Sequence, residues 1–350
     1  MKGVGAIVFK WSMMWIEGVL MTQPHQRYRH PRYKKKYKVT NWSSYDRSLV
    51  NRGDITLWLS EEVLQSWNDC PEQAFGRPRL YSDLAIETAL SLRLIFKLPL
   101  RQTEDLLRSL FKLMNLDLSV PDHTTLSRRN QTLNIKLKRM SSMTGPIDLV
   151  IDSTGLSIHG EGRWTRHKHG KRKRWGWCKL HIGVSDGLIV ASHLTDERVP
   201  DGSIAPNLIK QAGSINALTA DKAYDQIDVY QAAIDRGSTD LKLLIHPRTD
   251  AVISASNKAA LRQRDVHVKS IKEDGVLAWR RTSGYYHQSA VENMFLRYKT
   301  LLGDQLRARG EASQQVESVL ACNILNHFRS LGRPRCELVT WDINQRSSLT

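Results

Sequence analysis

The sequence IDLVID at residues 147–152 is a short apolar run that ends on an acid, Asp152. The sequence ALTAD at residues 217–221 ends in the same way on Asp221, and a third acid, Glu292, lies in a helical pattern at about 286–302. The chain around them is strongly basic, with a formal net charge of +17 and an isoelectric point near 9.8. Carboxylate oxygens suit Mg²⁺ or Mn²⁺, and two such ions can hold the attacking and leaving oxygens of a phosphodiester. The pattern therefore suggests divalent cations facing a polyanionic substrate.

Outward from residue 147, short strand patterns alternate with helical ones. Strands are predicted over 147–151, 175–184, 188–195, 217–220 and 241–245, and helices over 203–212, 227–236, 286–302 and 313–330. The dipeptide Asp186-Gly187 is a hairpin signal between the second and third strands. This order predicts a mixed α/β sheet. Residues 247–284 are longer than a compact connection requires, and two short strands are expected there, at 266–269 and 276–279. Trp279 in the second has two possible roles, packing in the core or stacking on an unpaired base.

Residues 57–140 have a helical pattern. Ser60 and Ser82 are predicted helix N-caps, and helices are expected over 83–96 and from Pro99 to 113. A third helix begins after Pro121 and carries hydroxyls and cations that suit a DNA-facing surface: Thr124, Arg128 and Arg129. Two packed helices followed by a basic one predict a helix-turn-helix DNA reader. A helical bundle that only packs or dimerises is the alternative.

Two basic segments contain no acid. The first, residues 24–41, interleaves tyrosines with seven Lys and Arg residues, and is either a solvated, disordered arm or a contact to a DNA end. The second covers residues 163–181 and includes Lys171, Arg172, Lys173 and Arg174. Its histidines have cationic neighbours that would repel a metal ion, so the segment is predicted to be a basic loop or hairpin beside the catalytic strand that grips substrate phosphates.

The segment around Glu292 is the most specific motif. Tyr285, Gln288, Glu292 and Lys299 have the spacing of the Y-(2)-R-(3)-E-(6)-K signature, with glutamine in place of arginine. The segments around Asp152 and Asp221 resemble the first and second aspartate motifs of the same family. In this order, the motifs resemble those of DDE transposases of bacterial insertion sequences, of the family-five type, over roughly residues 40–330.

The resemblance implies a ribonuclease-H-like catalytic core with Asp152, Asp221 and Glu292 as ligands of two Mg²⁺ or Mn²⁺ ions. It implies DNA contacts at Tyr285, Gln288 and Lys299. The implied partners are terminal inverted repeats and target DNA, with a homodimer in the synaptic complex, in the bacterial cytoplasm at the nucleoid. The expected organisation is a disordered basic arm (1–56), a helical DNA-binding domain (57–142), a catalytic domain (143–335) with an insertion at about 247–284, and a tail (336–350).

The remaining acids and the cysteines are expected to be structural. Asp148 stands at the start of its strand, and Asp225 and Asp201 look like helix caps. The four cysteines are far apart, which argues against a zinc site or a disulfide framework. Residues 4–19 are apolar, but Lys10 and Glu17 interrupt them and they are too short to span a bilayer, so no transmembrane helix is expected.

Two other functions fit the same residues. One is a catalytically weak, domesticated DNA-binding protein, which Gln288 and the unusual amino terminus keep open. The other is a stand-alone nuclease on the same fold. Cleavage of the element's own terminal repeats would separate a transposase from both.

Overall fold

A computed structural model describes residues 37–68, 78–138, 145–158, 176–254 and 259–338. The helices are α1 Trp42–Asn51, α2 Glu61–Gln65, α3 Asp83–Ile95, α4 Leu100–Leu113, α5 His123–Thr132, α6 Asp201–Ala212, α7 Ile227–Arg236, α8 Ala259–Asp274, α9 Val276–Ser283, α10 Ser289–Leu301 and α11 Glu311–Ser330. The strands are β1 Tyr37–Val39, β2 Ile147–Ile158, β3 Trp177–Ser185, β4 Leu188–Asp196, β5 Ile215–Ala220, β6 Gly237–Ile245, β7 Gln305–Leu306 and β8 Cys336–Leu338. Short 3-10 turns cover Ile55–Leu57, Lys222–Tyr224 and Tyr285–Gln288. In the described part of the chain, no helix is long and apolar enough to cross a membrane.

The described residues form two compact units, of which the smaller contains residues 37–49 and 332–338. In it β1 and β8 pair antiparallel, with Tyr37 opposite Leu338. The Asn41 side chain joins the two segments, since its amide donates to the Arg333 carbonyl oxygen (2.9 Å) and its oxygen accepts from the Arg335 N–H (2.6 Å). Parts of the expected disordered arm and tail are therefore ordered, while the basic residues before position 37 lie outside the described residues.

The larger unit, residues 50–331, begins with the helical region. The predicted caps are confirmed, because the Ser82 hydroxyl accepts from the Ala85 N–H (3.0 Å) and the Ser60 hydroxyl from the Val63 N–H (3.4 Å). Helices α3, α4 and α5 match the three predicted ones. They bury a shared apolar core whose largest members include Trp67, Ile86, Leu90, Leu107, Phe111 and Leu126.

The sheet of the larger unit has the strand order β4-β3-β2-β5-β6, with β7 paired to the far end of β2. Strands β2, β3 and β4 are antiparallel neighbours, whereas β5 pairs parallel with both β2 and β6. The predicted hairpin turn between β3 and β4 is confirmed. Asp186 and Gly187 both have positive φ, 47° and 73°, which suits the tight turn of an antiparallel hairpin.

Helix α11 joins the sheet to the helical region. Val316, Leu320, Ile324 and Phe328 on it belong to the helical core. Ala321, Cys322 and Leu325 belong instead to the core between the sheet and α10. The regions expected as separate domains, 57–142 and 143–335, therefore share one long helix and form one unit up to residue 331.

The connection at 247–284 is helical, so the two short strands predicted there are wrong. Residues 266–269 lie in α8 and residues 276–279 in α9. A four-residue alternation is too short to separate a strand from a helix face, and here Val268 and Trp279 face inward, at 3% and 1% exposure. The Trp279 indole donates to His267 Nδ1 (3.0 Å), which confirms the core role and leaves no free face for a base.

Asp225 anchors this helical insertion and is not the helix cap predicted for it. The residue before α7 is Gln226. The Asp225 carboxylate is fully buried and accepts hydrogen bonds from the Arg264 guanidinium, at 2.7 Å from Nε and 3.2 Å from Nη2. It also accepts from the Arg248 N–H (2.9 Å) and the Tyr230 hydroxyl (3.1 Å). Its role is structural, as expected, although the predicted partner was wrong.

Candidate active site

Two of the predicted acids meet at one edge of the sheet. Leu149 pairs with Leu218 and Val150 with Thr219 in the parallel ladder between β2 and β5. Continuing this register by two residues brings Asp152 beside Asp221, which directly follows β5. Asp221 thus directly follows β5, whereas Asp152 lies within β2, which continues to Ile158 beyond the predicted end at residue 151. The two acids are neighbours where the parallel pairing with β5 stops and β2 goes on beside β3.

Burial and mutual repulsion act on both carboxylates. The pKa of Asp152 is raised to about 6, mainly by burial and also by the negative charges of Asp221, Asp201 and Glu292, against the opposing hydrogen bond from the Ser153 N–H. Burial also raises the pKa of Asp221, with Asp201 adding to the effect. Each carboxylate accepts one backbone N–H, from Ser153 (2.8 Å) and Ala223 (2.9 Å) respectively. A bound cation would relieve this repulsion.

Glu292 reaches the same edge from α10. The inner face of this helix packs its apolar side chains on the sheet: Val291, Met294, Phe295 and Tyr298. Glu292 lies in the first helical turn and is solvent-exposed, yet its charge contributes to the raised pKa of Asp152. Lys299 is exposed two helical turns further on, which places it on the same face of α10 as Glu292.

Tyr285, the aromatic residue of the signature, lies close to the three acids. Tyr285 is 8% exposed and stacks at a tilt on Trp279, with ring centroids 5.0 Å apart. The pKa of its hydroxyl is raised to about 12, mainly by burial and also by the charges of Asp221, Asp152 and Glu292. The buried Tyr285 side chain therefore offers little exposed area for the expected DNA contact. Its observed role is to pack beside the carboxylates.

Gln288 is also interior, at 7% exposure. It precedes α10 without a side-chain cap bond, and its Oε1 atom is buried with no hydrogen-bond partner in the described chain. Tyr286 and His287, between the two buried positions, are the exposed residues of this turn. A DNA contact at Gln288 would therefore require its side chain to leave the interior.

A fourth acid, Asp201, lies at this edge and the sequence analysis missed its role. The N-cap of α6 is Pro200, so Asp201 is the first helical residue and not the predicted cap. Its carboxylate accepts from Lys179 Nζ and from the Ser153 hydroxyl, each at 3.0 Å. The only sign of this role in the sequence was an acid that follows the predicted hairpin, because Lys179 and Ser153, which bind Asp201, lie far from it in the sequence.

The predicted DNA-facing arginines of α5 separate into two kinds. Arg129 donates to the Tyr81 carbonyl oxygen (2.9 Å) and forms an ion pair with Asp83, which ties α5 to the start of α3. Its side chain is 12% exposed and its contacts are structural, while the DNA contact stays a prediction. Arg128 is exposed and contacts only Thr124 of its own helix among the bonds described.

Most of the second basic segment, including Lys171, Arg172, Lys173 and Arg174, lies outside the described residues. Of its described members, Lys179 is engaged by Asp201 and by the Val199 carbonyl oxygen (3.0 Å). His181 is fully buried and its Nε2 atom bonds the Thr195 hydroxyl at 2.8 Å. These two residues lie on β3, in the hairpin beside β2, where His181 is buried and Lys179 is partly exposed and paired with Asp201. A phosphate contact by this segment stays a prediction.

The donor set suits a hard divalent cation, because all the converging side chains are carboxylates. Across the described residues, however, no group of three or more His, Cys, Asp or Glu is close enough to hold a metal ion. Asp152 and Asp221 are adjacent, and Glu292 lies within reach of their field.

Comparison with protein families assigns the chain. Two family models, both described as Transposase DDE domain, match residues 50–161 and residues 144–326. The first covers the helical region and all of β2, and the second covers the sheet, the insertion and most of α11. Since the second match alone spans just over half of the sequence, the chain belongs to the transposase DDE domain family.

Proposed function

We propose that this transposase cleaves phosphodiester bonds at the terminal inverted repeats of its element and joins the freed 3′ ends to target DNA. The observation that carries the proposal is the position of Asp152, within β2, beside Asp221, which directly follows the neighbouring parallel strand β5, with the pKa of Asp152 raised to about 6. Carboxylates that repel one another in a partly buried site are typical of positions that bind cations or carry catalysis.

Asp152, Asp221 and Glu292 are the proposed ligands of two Mg²⁺ or Mn²⁺ ions. Divalent ions are general among DDE transposase domains, and when bound they lower the pKa of the attacking water and stabilise the leaving 3′ oxygen. The residues of the chain hold the carboxylates in place. The Ser153 and Ala223 N–H groups fix one oxygen of each aspartate, and α10 brings Glu292 to them.

The fold and DNA contacts are part of the same proposal. The sheet order, with an antiparallel hairpin on one side of β2 and parallel strands on the other, supports a ribonuclease-H-like core. Helices α3 to α5 would form the helix-turn-helix reader. Arg128 and Lys299 are the exposed candidates for phosphate contacts, together with the segment 171–174.

Holding two element ends together for strand transfer would require a homodimer in the synaptic complex. The place of action would be bacterial cytoplasm, on nucleoid DNA. The family assignment does not favour the alternatives of a domesticated DNA-binding protein or a stand-alone nuclease.

The test is an end-cleavage assay on duplexes taken from the DNA that flanks the gene, with Mg²⁺ and with a chelator. Asp152→Asn, Asp221→Asn and Glu292→Gln should each lower the cleavage rate by at least about a hundred-fold, since each removes an anionic group from the reacting centre. Binding to the same duplex, measured by gel shift, should stay within about two-fold of wild type, because these residues make no sequence-reading contact.

Asp148→Asn is the matched control, since Asp148 lies exposed at the start of the same strand. It should cleave like wild type. A triad variant that keeps wild-type cleavage with Mg²⁺ would remove that residue from the site. A wild-type chain that binds the ends and never cuts them would revive the DNA-binding alternative.

A further inference from the structure

Asp201 lies on the other face of the sheet from the Asp152 side chain. In the antiparallel ladder, Asp152 pairs with Ile182 and Ser153 pairs with His181. Because successive side chains of a strand point to opposite faces, Asp152 shares a face with Ile182, in the core beneath α10. Ser153 and His181 share the opposite face, where α6 packs and Asp201 begins that helix.

The Asp201 carboxylate is held at both oxygens. Lys179 Nζ lies 3.0 Å from Oδ1 and also donates to the Val199 carbonyl oxygen (3.0 Å). The Ser153 hydroxyl donates to Oδ2 at 3.0 Å. His181 closes the remaining side: it is fully buried, and its Nδ1 atom has no hydrogen-bond partner among the described residues and lies 4.0 Å from Oδ1. With both oxygens occupied and His181 against it, the carboxylate has little freedom to turn.

This arrangement leads directly to Asp152. The backbone N–H of Ser153 donates to Asp152 Oδ1 at 2.8 Å, while the side chain of the same serine is bound by Asp201. Ser153 thus links the acid on one face to the acid on the other. Lys179 cannot serve as a free phosphate contact without giving up this arrangement, because its ammonium group is committed to Asp201 and Val199.

We propose that Asp201 is a positioning residue of the active site. Anchored by Lys179, it holds the Ser153 hydroxyl and so keeps the Ser153 N–H directed at the Asp152 carboxylate. The inference rests on the proposed function, since it concerns how Asp152 is presented to a cation and to DNA. Partners that orient a metal ligand commonly contribute ten- to a hundred-fold to affinity or activity.

A double-mutant cycle tests it. Asp201→Ala and Ser153→Ala should each lower the end-cleavage rate by about ten-fold or more and weaken binding of Mn²⁺ alone, measured by electron paramagnetic resonance, by a similar factor. End binding should be unchanged. The double variant should be no worse than either single one, because both act through the same N–H. Asp201→Asn keeps an oxygen that can accept from Ser153 and should recover most of the Mn²⁺ affinity.

Asp228→Ala is the matched control, since Asp228 is an exposed acid in the first turn of the next helix, α7. It reports the loss of a helix-terminal charge alone and should leave cleavage and Mn²⁺ binding at wild-type values. The proposal is overturned if Asp201→Ala behaves like Asp228→Ala, or if the effects of Asp201→Ala and Ser153→Ala multiply in the double variant. A wild type that neither cleaves nor binds Mn²⁺ overturns the proposed function as well, and so differs from failure of this inference alone.

Discussion

Asp221 and Asp225 lie four residues apart and are held in opposite ways. Asp225 is fully buried and receives four hydrogen bonds, two of them from the Arg264 guanidinium. Asp221 is half-buried and accepts one, from the Ala223 N–H. The negative charge of Asp201 raises the pKa of Asp221, and the charge of Asp221 in turn raises the pKa of Asp152.

The difference separates a structural acid from a functional one. A buried carboxylate that serves packing needs a partner cation and satisfied oxygens, because an unpaired buried charge is costly. Among the described residues, no cation forms an ion pair with Asp152 on β2 or with Asp221 after β5, and the repulsion between the acids is retained in the folded chain. This repulsion lowers the free energy of unfolding of the chain, as expected where a cation from solution is to bind.

The largest expected effect comes from breaking the satisfied pair. Arg264→Met leaves the buried Asp225 carboxylate without its cation and should lower the free energy of unfolding by about 3–5 kcal/mol. Urea denaturation at neutral pH measures it. Lys269→Met on the same helix is the control, since Lys269 forms an exposed pair with Glu273 and its loss should cost about 0–1 kcal/mol.

Adding Asp225→Leu to Arg264→Met should recover much of that loss, because the double variant removes both charges from the interior. If Arg264→Met cost no more than Lys269→Met, the pair would not anchor the insertion and the comparison between the two acids would fail.

Removing a repelling acid should have the opposite sign. The pKa of Asp152 is raised from an ordinary value of 3.8 to about 6, so the folded chain disfavours the ionised form. Its stability cost is absent below about pH 4, grows as the pH rises from about 4 to 6, and is complete above that. In a chelator at pH 7, Asp152→Asn should therefore raise the free energy of unfolding, by up to about 3 kcal/mol.

The same substitution should give no gain at pH 4, where the wild-type carboxyl is mostly protonated. Unfolding curves at the two pH values measure the difference, with the exposed Asp148→Asn as the control that should change neither. An asparagine variant less stable than wild type at pH 7 would mean that the Asp152 carboxylate is satisfied like that of Asp225.

Local signals made much of this fold predictable. The caps Ser60 and Ser82, the Asp186-Gly187 turn and the apolar runs before Asp152 and Asp221 each act within a few residues of themselves. These signals sufficed for the existence of strands β2 to β6 and of the three helices, but not for the continuation of β2 to Ile158 or for β7. The helices of the insertion were not predictable in the same way, because the burial of Val268 and Trp279 depends on packing against residues that are distant in sequence.

The roles of Asp225 and Asp201 escaped for a related reason. Each looked like a cap because caps are the local use of an acid before a helix. Their actual partners are far away in sequence: Arg264 is 39 residues from Asp225, and Ser153 is 48 residues from Asp201. Motif spacing located Gln288 but gave no information on its burial, which depends on how the turn before α10 packs.

Gln288 extends the comparison to a neutral group and carries the smallest expected effect. Its Oε1 atom is buried without a partner, so Gln288→Met should leave the free energy of unfolding unchanged or raise it by about 1 kcal/mol. End binding should stay at the wild-type value.

Gln288→Arg is the sharper variant, since a phosphate contact at this position would tighten end binding by on the order of 1.5–3 kcal/mol at best. Burial predicts no such gain, because the arginine must first leave the interior to reach DNA. Gel shifts of the three proteins on one end duplex decide it: tighter binding by the arginine variant together with weaker binding by the methionine variant would assign the side chain to the DNA interface.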